Sequence, residues 1–255
     1  MELLPGKAHL WTMSLEVVGN KVEAPSSDPL IDELELVLSE DERSRSRRFH
    51  FENNRREYIA AHALCRIMLS KFSTTAPQEW SFTAGPHGKP EIAGDGSADT
   101  MRFNISHTKG MVCLGVTLND DIGVDVEWTG RNNRIEDIAR FKFSKPEVTR
   151  LIEMPQSEKR KGFFMFWTLK EAYIKATGKG LAEPLDGFAF SLKPVQVEFL
   201  NGQDDPLNWH FQPLELAPDY IGALAVRCGR KRDLDVTQQM ISGVELVRLA
   251  GMERR

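Results

Sequence analysis

The stretch IGVDVEW at residues 122–128 alternates apolar and acidic side chains, as the pleat of a β-strand requires. In such a strand Asp125 and Glu127 point to one face, and the three apolar side chains point to the other. Two neighbouring carboxylates repel each other unless a cation or water separates them, and Mg²⁺ commonly binds one or two carboxylates. The alternative is a half-buried strand with a solvated acidic face, because a period of two is also typical of such strands.

The stretch FFMFWTLKEAYIKATGKG at residues 163–180 predicts a helix. A rotation of about 100° per residue places Glu171 on the same face as Trp167 and Ile174, with Lys175 one turn further on. A carboxylate within an apolar stripe is costly unless it is paired or bound to a metal. An ion pair between Glu171 and Lys175, four residues apart, explains the pattern equally well.

The rest of the chain alternates predicted helices and strands. Helices are predicted over residues 40–50, 54–72, 134–141, 145–153 and 162–177. Strands are predicted over residues 8–18, 103–107, 111–118, 122–128, 188–192, 196–199, 209–213 and 220–228. REYIAA at 56–61 weakly repeats as EAYIKA at 171–176, which suggests duplicated halves. The charged tail after Arg230 is expected to be partly mobile.

Composition excludes several classes of protein. The 255 residues are 41 % hydrophobic and 27 % charged, as in an ordinary globular protein, and the net charge of -4 argues against a dedicated nucleic-acid binder. The three cysteines are far apart and predict neither a zinc site nor a disulfide framework. Neither a signal peptide nor a membrane-spanning run of about 18 apolar residues is present, so we expect a cytoplasmic protein.

Three further elements could bind phosphate. The run RSRSRRFHFENNRR at 43–56 carries six arginines, whose planar side chains suit phosphate oxygens, although a solvated, salt-bridged helix surface explains many of them. GKP at 88–90 places a lysine on a turn-bounded loop, which alone is a weak signal. His107 ends the predicted strand FNISH at 103–107, where a structural or surface role is the alternative.

These motifs resemble, in order, those of the Sfp-type 4'-phosphopantetheinyl transferases. The matching segments are the arginine-rich segment from Glu42 to Arg66, GKP at 88–90, FNISH at 103–107, IGVDVE at 122–127, FSKPE at 143–147 and FWTLKEAYIKATGKGL at 166–181. The resemblance implies an α/β (α+β) fold, a pseudo-dimer of two similar α/β halves with the active site in the cleft between them. We place the N-terminal half at residues 1–119 and the C-terminal half at residues 120–255.

The resemblance also implies an activity. Members of the family transfer the 4'-phosphopantetheine arm of coenzyme A to a serine of an apo carrier protein, require Mg²⁺, and release adenosine 3',5'-bisphosphate. The implied partners are coenzyme A and acyl carrier, peptidyl carrier or polyketide carrier domains, without nucleic acid or membrane. A monomer is expected, because fused halves need no second chain to complete the site.

The resemblance assigns roles to individual residues. Asp125, Glu127 and Glu171 would bind Mg²⁺, and Glu171 and Lys175 would be catalytic, with Glu171 as a hypothetical general base. The coenzyme A contacts implied are Arg45, Arg56, Gly88, Lys89, Pro90, Ser106, His107, Lys170 and Lys175. Glu42 departs from the family pattern, since a basic residue is expected there, and His87 replaces an aromatic residue.

Two other classes stay open at this point. Three carboxylates with Mg²⁺ would also serve a hydrolase of phosphodiesters, which needs no carrier protein. The other class is a catalytically silent module that binds nucleotide or nucleic acid through its arginines. The acidic residues and Lys175 argue against it.

Overall fold

The computed structural model describes residues 2–15, 28–94, 100–131, 134–229 and 233–251. Within these ranges the strands are β1 (Lys7–Ser14), β2 (Phe82–Ala84), β3 (Pro90–Ile92), β4 (Met101–Thr108), β5 (Met111–Leu118), β6 (Asp121–Trp128), β7 (Phe188–Leu192), β8 (Val195–Phe199), β9 (Trp209–Pro213), β10 (Tyr220–Arg227) and β11 (Asp235–Met240). The helices are α1 (Pro29–Glu35), α2 (Glu40–Ser46), α3 (Glu52–Leu69), α4 (Ile135–Lys142), α5 (Lys145–Glu153), α6 (Gln156–Thr177) and α7 (Gly243–Leu249).

The first half is a four-stranded sheet covered by helices. Its strand order is β11-β1-β5-β4, with β1 and β4 both antiparallel to β5. A turn at Gly110, whose φ of 77° favours glycine, joins β4 to β5. α3 packs its apolar residues, among them Ile59 and Ile67, onto this sheet with α1 and α7.

The second half also consists of a sheet covered by a helix, but with fewer strands. Its sheet has the order β6-β10-β9, and β7 and β8 form a separate hairpin. α6 packs across β6 and β10, with Phe166, Leu169 and Tyr173 in the core. The free faces of the two sheets meet in a third apolar cluster that includes Leu10 from β1 and Val124 from β6. The α+β fold with two halves is therefore confirmed.

Polar side chains of β4 join the two halves. The backbone amides of β6 donate hydrogen bonds to them at 2.9, 3.3 and 3.1 Å. We call this contact the seam; in order, its pairs are Val124 to Asn104, Val126 to Ser106 and Trp128 to Thr108. Because both strands have a side-chain period of two, one register serves all three bonds and positions β4 against β6.

The described residues that follow Arg230, 233–251, differ from the expectation of a partly mobile tail. β11 pairs in parallel with β1, and α7 lies against α1 and α3, so residues 235–249 belong to the first half. The proposed boundary at residue 119 assigns these residues to the second half, whereas β11 pairs with β1 of the first half. The strand DVTQQM at 235–240 was not predicted from the sequence, because it is polar without a strong alternation and because the strand it pairs with lies near residue 10.

Other predicted elements differ mainly at their ends. α6 begins at Gln156 rather than at Gly162. Gly162 lies inside the helix, where a Cβ atom would overlap the Met154 side chain. Residues 16–18 of the strand predicted over 8–18 lie outside the described residues. Cys65, Cys113 and Cys228 are buried, with no disulfide among them.

In the ranges that the structure describes, no helix is long and apolar enough to cross a membrane.

Glu42 generates a prediction about stability and pH. Its carboxylate accepts a hydrogen bond from the Ser39 amide, and this bond belongs to the capping box of α2. The carboxylate also accepts from Arg66 Nε and contacts His62, and these two contacts connect α2 to α3. Burial alone would raise the pKa of Glu42, but the bonds from His62, Arg66 and Ser39 outweigh burial and lower the pKa to about 2.

A carboxylate with a lowered pKa stabilises the fold fully above its unfolded pKa, and that stabilisation is lost as the pH falls toward 2. The lowered pKa corresponds to a contribution of about 3 kcal/mol to the free energy of unfolding at pH 7, and more than half of this contribution is lost by pH 3. Urea unfolding should therefore show a smaller loss of stability between pH 7 and pH 3 in Glu42→Gln than in the unmodified protein. Glu40→Gln, an exposed position in the same turn, should leave this loss unchanged; equal losses in Glu42→Gln would contradict the assignment.

The close contact of β6 with α6 generates a second prediction. A Cβ atom at Gly123 would overlap the α6 backbone at Ala172 and Ala176, whereas one at Gly187 would meet the flexible ends of Asn201 and Gln203. Gly123→Ala should cost about 2 kcal/mol or more and Gly187→Ala less than about 1 kcal/mol, measured by thermal or urea unfolding. Equal costs would mean that α6 shifts freely on β6.

Candidate active site

β6 and α6 bring together three carboxylates, which we call the acidic cluster: Asp125, Glu127 and Glu171. On β6 the alternation is as predicted, because Ile122, Val124 and Val126 lie in the apolar cluster between the sheets. Asp125 is 5 % exposed, which excludes the solvated strand face as its environment. The acidic cluster is therefore largely desolvated, and its charges need compensation.

Asp125 has one satisfied and one unsatisfied oxygen. Its Oδ1 accepts a hydrogen bond from Ser106 Oγ at 3.0 Å and pairs with Lys175 Nζ at 2.6 Å. Its Oδ2 is buried and has no hydrogen-bond partner among the described residues. A buried carboxylate oxygen without a donor is costly in a folded protein, and a metal ion is one group that would satisfy it.

Burial and a neighbouring charge disfavour the ionised form of both glutamates. Burial, and then the nearby Asp125, raise the pKa of Glu171 to about 7. The same two causes raise the pKa of Glu127, which pairs with Arg131 at 3.2 Å. Carboxyl groups whose ionisation is disfavoured by burial and by a neighbouring carboxylate form a site that attracts cations.

The acidic cluster is not arranged as a finished metal site. Across the described ranges, no group of three His, Cys, Asp or Glu side chains is already placed to hold a metal ion. Lys175 and Arg131 are bound to two of the three carboxylates instead. Oxygen ligands of this type suit Mg²⁺, and the unsatisfied Asp125 Oδ2 fits such an ion. Lys175 and Arg131 would have to move away from the carboxylates for the ion to bind.

Ser106 and His107 lie on opposite faces of β4. Ser106 connects the two halves, because its Oγ accepts from the Val126 amide and lies 2.9 Å from Lys175 Nζ. His107 faces α3, where its Nδ1 lies 3.8 Å from the carboxylate of Glu57. The side chain of His107 is 41 % exposed, so it is accessible to a ligand from solvent. The shared phosphate contact implied for this pair stays a prediction.

Lys170, for which the resemblance implies a contact with coenzyme A, lies instead in the core of the second half. Its side chain is fully buried and its Nζ donates to the carbonyl oxygens of Leu185 and Phe188 and pairs with Glu147 at 2.8 Å. Successive residues of a helix point about 100° apart, so the neighbour of Glu171 faces the core of the second half. Lys170 anchors α6 to α5 and to the start of β7.

Lys89 also has a different environment from the one expected. Its Nζ donates to the carbonyl oxygens of Ile122 and Ala176, both at 3.0 Å, and burial lowers its pKa to about 8. The ammonium therefore joins the β2–β3 hairpin to the start of β6 and to the last turn of α6. Gly88 lies in the turn of that hairpin with a φ of 86°. Lining of a nucleotide pocket by Gly88, Lys89 and Pro90 stays a prediction.

The two arginines expected to contact phosphate differ in availability. Arg45 is exposed, lies over the Tyr58 ring and lines an open cavity of about 620 Å³ with Arg48. Arg56 is buried and its Nη2 already binds Asp28 at 2.5 Å. Glu42, where a basic residue was expected, is paired with Arg66 and His62.

Several residues around the acidic cluster and His107 were not predicted from the sequence. Asn104 and Thr108 of the seam, Glu57 beside His107 and Arg131 beside Glu127 are among them. The alternation of Asn104, Ser106 and Thr108 along β4 could have indicated that these three side chains share one face of the strand. The pairing of Glu57 or Arg131 could not have been predicted in this way, because each partner lies on another element or in a loop.

Comparisons with known proteins identify the family of this chain. Residues 121–225 match the 4'-phosphopantetheinyl transferase superfamily, and residues 24–118 match the N-terminal domain of 4'-phosphopantetheinyl transferase. The chain is 34 % identical to the 4'-phosphopantetheinyl transferase HetI of Nostoc sp. over 89 % of this chain and 90 % of that protein.

Two relatives from Bacillus subtilis give the same result. The chain is 27 % identical to 4'-phosphopantetheinyl transferase Sfp over 91 % of this chain and all of that protein. It is 32 % identical to 4'-phosphopantetheinyl transferase ffp over 70 % of this chain and 77 % of that protein. With both halves matched, the chain belongs to the Sfp-type 4'-phosphopantetheinyl transferases, which use coenzyme A to convert apo carrier proteins to their holo form.

Proposed function

We propose that this transferase depends on Mg²⁺ held by Asp125, Glu127 and Glu171 at the seam between its halves. The observation that carries the proposal is the buried Asp125 Oδ2, which has no hydrogen-bond partner in the described part of the chain although two further carboxylates lie close by. A bound Mg²⁺ would offset the negative charge that develops at the pyrophosphate of coenzyme A.

Residues of both halves would hold coenzyme A. Lys175 would contact the pyrophosphate from α6, and Ser106 and His107 would contact phosphate oxygens from the end of β4. Gly88, Lys89 and Pro90 would line the nucleotide pocket. Arg45, which is exposed, is better placed for a further phosphate contact than the buried Arg56. One chain would be sufficient for catalysis, because Ser106 and Asp125 already meet across the seam.

The incoming serine hydroxyl of the carrier has to lose a proton as it attacks the phosphorus atom that bears the pantetheine arm. The bond from that phosphorus atom to the leaving oxygen breaks, and adenosine 3',5'-bisphosphate departs. We propose that Glu171, directly or through a water molecule, accepts the serine proton. Its position on α6, next to Asp125, supports this role.

Acidic carrier proteins would dock on a basic surface beside the acidic cluster rather than on the molecule as a whole, whose net charge is -4. Lys109, which lies 4.4 Å from the Trp128 ring centre, and Arg131 supply positive charge at that end of β6. The carrier would be an acyl carrier, peptidyl carrier or polyketide carrier domain.

The first test of this function removes a single charge. Asp125→Asn should reduce transfer by about 100-fold or more, because the amide cannot replace an anionic ligand. The measurement is mass spectrometry of an apo carrier protein after incubation with coenzyme A, Mg²⁺ and enzyme. Asp235→Asn, at a surface ion pair of β11, should transfer normally. Normal transfer by Asp125→Asn with unchanged Mg²⁺ dependence would refute the assignment.

A second test concerns the proton. Glu171→Gln should lower kcat by roughly 100-fold even at saturating Mg²⁺, since the amide accepts no proton. Glu158→Gln, on the same helix but in its first turn, serves as the matched control. If excess Mg²⁺ restored full turnover to Glu171→Gln, Glu171 would be a ligand without a role as base.

A further inference from the structure

Two basic side chains are bound to carboxylates of the proposed metal site. Lys175 Nζ lies 2.6 Å from Asp125 Oδ1 and 2.9 Å from Ser106 Oγ. Arg131 Nη2 lies 3.2 Å from Glu127 Oε2 and donates to Thr108 Oγ1 at 3.2 Å. Each cation therefore bridges a carboxylate of the acidic cluster to a hydroxyl of the seam.

These contacts have a physical reason. The side chains of Asp125 and Glu127 are 7 % and 14 % exposed, so solvent screens their mutual repulsion poorly. An ammonium and a guanidinium at hydrogen-bond distance offset that repulsion. The fold thus carries its own counter-cations for the acidic cluster.

The same positions conflict with a divalent ion. A metal on Asp125 Oδ2 would lie within a few ångströms of an ammonium on Oδ1, and like charges that close repel strongly in a buried site. Lys175 is able to move away, because a lysine carries its charge on a flexible four-carbon stem and this side chain is 28 % exposed.

We propose that Lys175 is an exchangeable counter-cation, which occupies Asp125 until a divalent metal displaces it toward the pyrophosphate of coenzyme A. Arg131 has the corresponding position at Glu127. This inference rests on the proposed magnesium site. It predicts positive coupling between metal and coenzyme A, because the metal frees the ammonium that the pyrophosphate then binds.

Lys142 provides a matched control. It acts on the charge of Glu171 through space, and in the described residues its ammonium lies over the Phe141 ring instead of pairing with a carboxylate. Removing the charge of Lys142 therefore tests the general effect of a nearby lysine, whereas removing Lys175 tests the contact itself.

The first experiment measures binding of Mn²⁺ alone, by the electron paramagnetic resonance signal of the free ion. Lys175→Met should bind Mn²⁺ about fivefold or more tightly than the unmodified protein, and Lys142→Met should differ by less than about twofold. Equal or weaker binding by Lys175→Met would overturn the inference. If Asp125→Asn bound Mn²⁺ as tightly as the unmodified protein, the proposed metal site itself would be refuted. If Asp125→Asn weakened Mn²⁺ binding but Lys175→Met left it unchanged, the metal site would stand and only the exchange of Lys175 would be refuted.

A second experiment uses the unmodified protein and does not depend on the folding of a variant. Acetylation of lysines by an N-hydroxysuccinimide ester, read by peptide mass spectrometry, reports how accessible each amine is. Mg²⁺ should increase labelling of Lys175 several-fold, and added coenzyme A should then decrease it, while Lys142 stays constant. Unchanged or decreased labelling of Lys175 with Mg²⁺ would overturn the proposal.

Discussion

The structure depends on three hydrogen bonds in which backbone amides of β6 donate to side chains of β4. An edge strand normally presents such amides to solvent or to another strand. Here Asn104, Ser106 and Thr108 accept them, so two separate sheets are held at one fixed register. Asp125 consequently lies beside Ser106, and Glu127 lies beside Thr108. Any slip by one residue would turn the polar side chains of β4 away from β6 and separate these pairs.

The seam also determines where negative charge accumulates. β6 presents its apolar side chains to the space between the sheets, so its carboxylates face α6. Gly123 lets the α6 backbone approach β6 closely, and Glu171 is brought to the same place as Asp125. A compact group of buried acids has to be offset by cations, and Lys175 and Arg131 provide them within the chain. The same requirement makes the site suitable for a divalent metal.

Two lysines of α6 show how one helix serves two purposes. Lys170 and Lys175 are five residues apart, yet Lys170 forms a buried ion pair with Glu147, whereas Lys175 contacts Ser106 in the other half. Burial of the Lys170–Glu147 pair is tolerated because each partner has additional hydrogen bonds, to Leu185, Phe188, Ser144 and Phe190. The pair fixes the rotation of α6, and with it the direction of Glu171 and Lys175.

Much of this protein could be predicted from the sequence alone. Local periodicity indicated most helices and strands, and the alternation in IGVDVEW was correct because side-chain direction in a strand is a local property. The order of the motifs indicated the family and the acidic cluster. Tertiary structure alone decided which charges meet. It buried Lys170, committed Lys89 to carbonyl oxygens of the second half, and returned residues 235–249 to the first sheet. These pairings depend on distant segments of the chain, and no local pattern encodes the distance between two side chains.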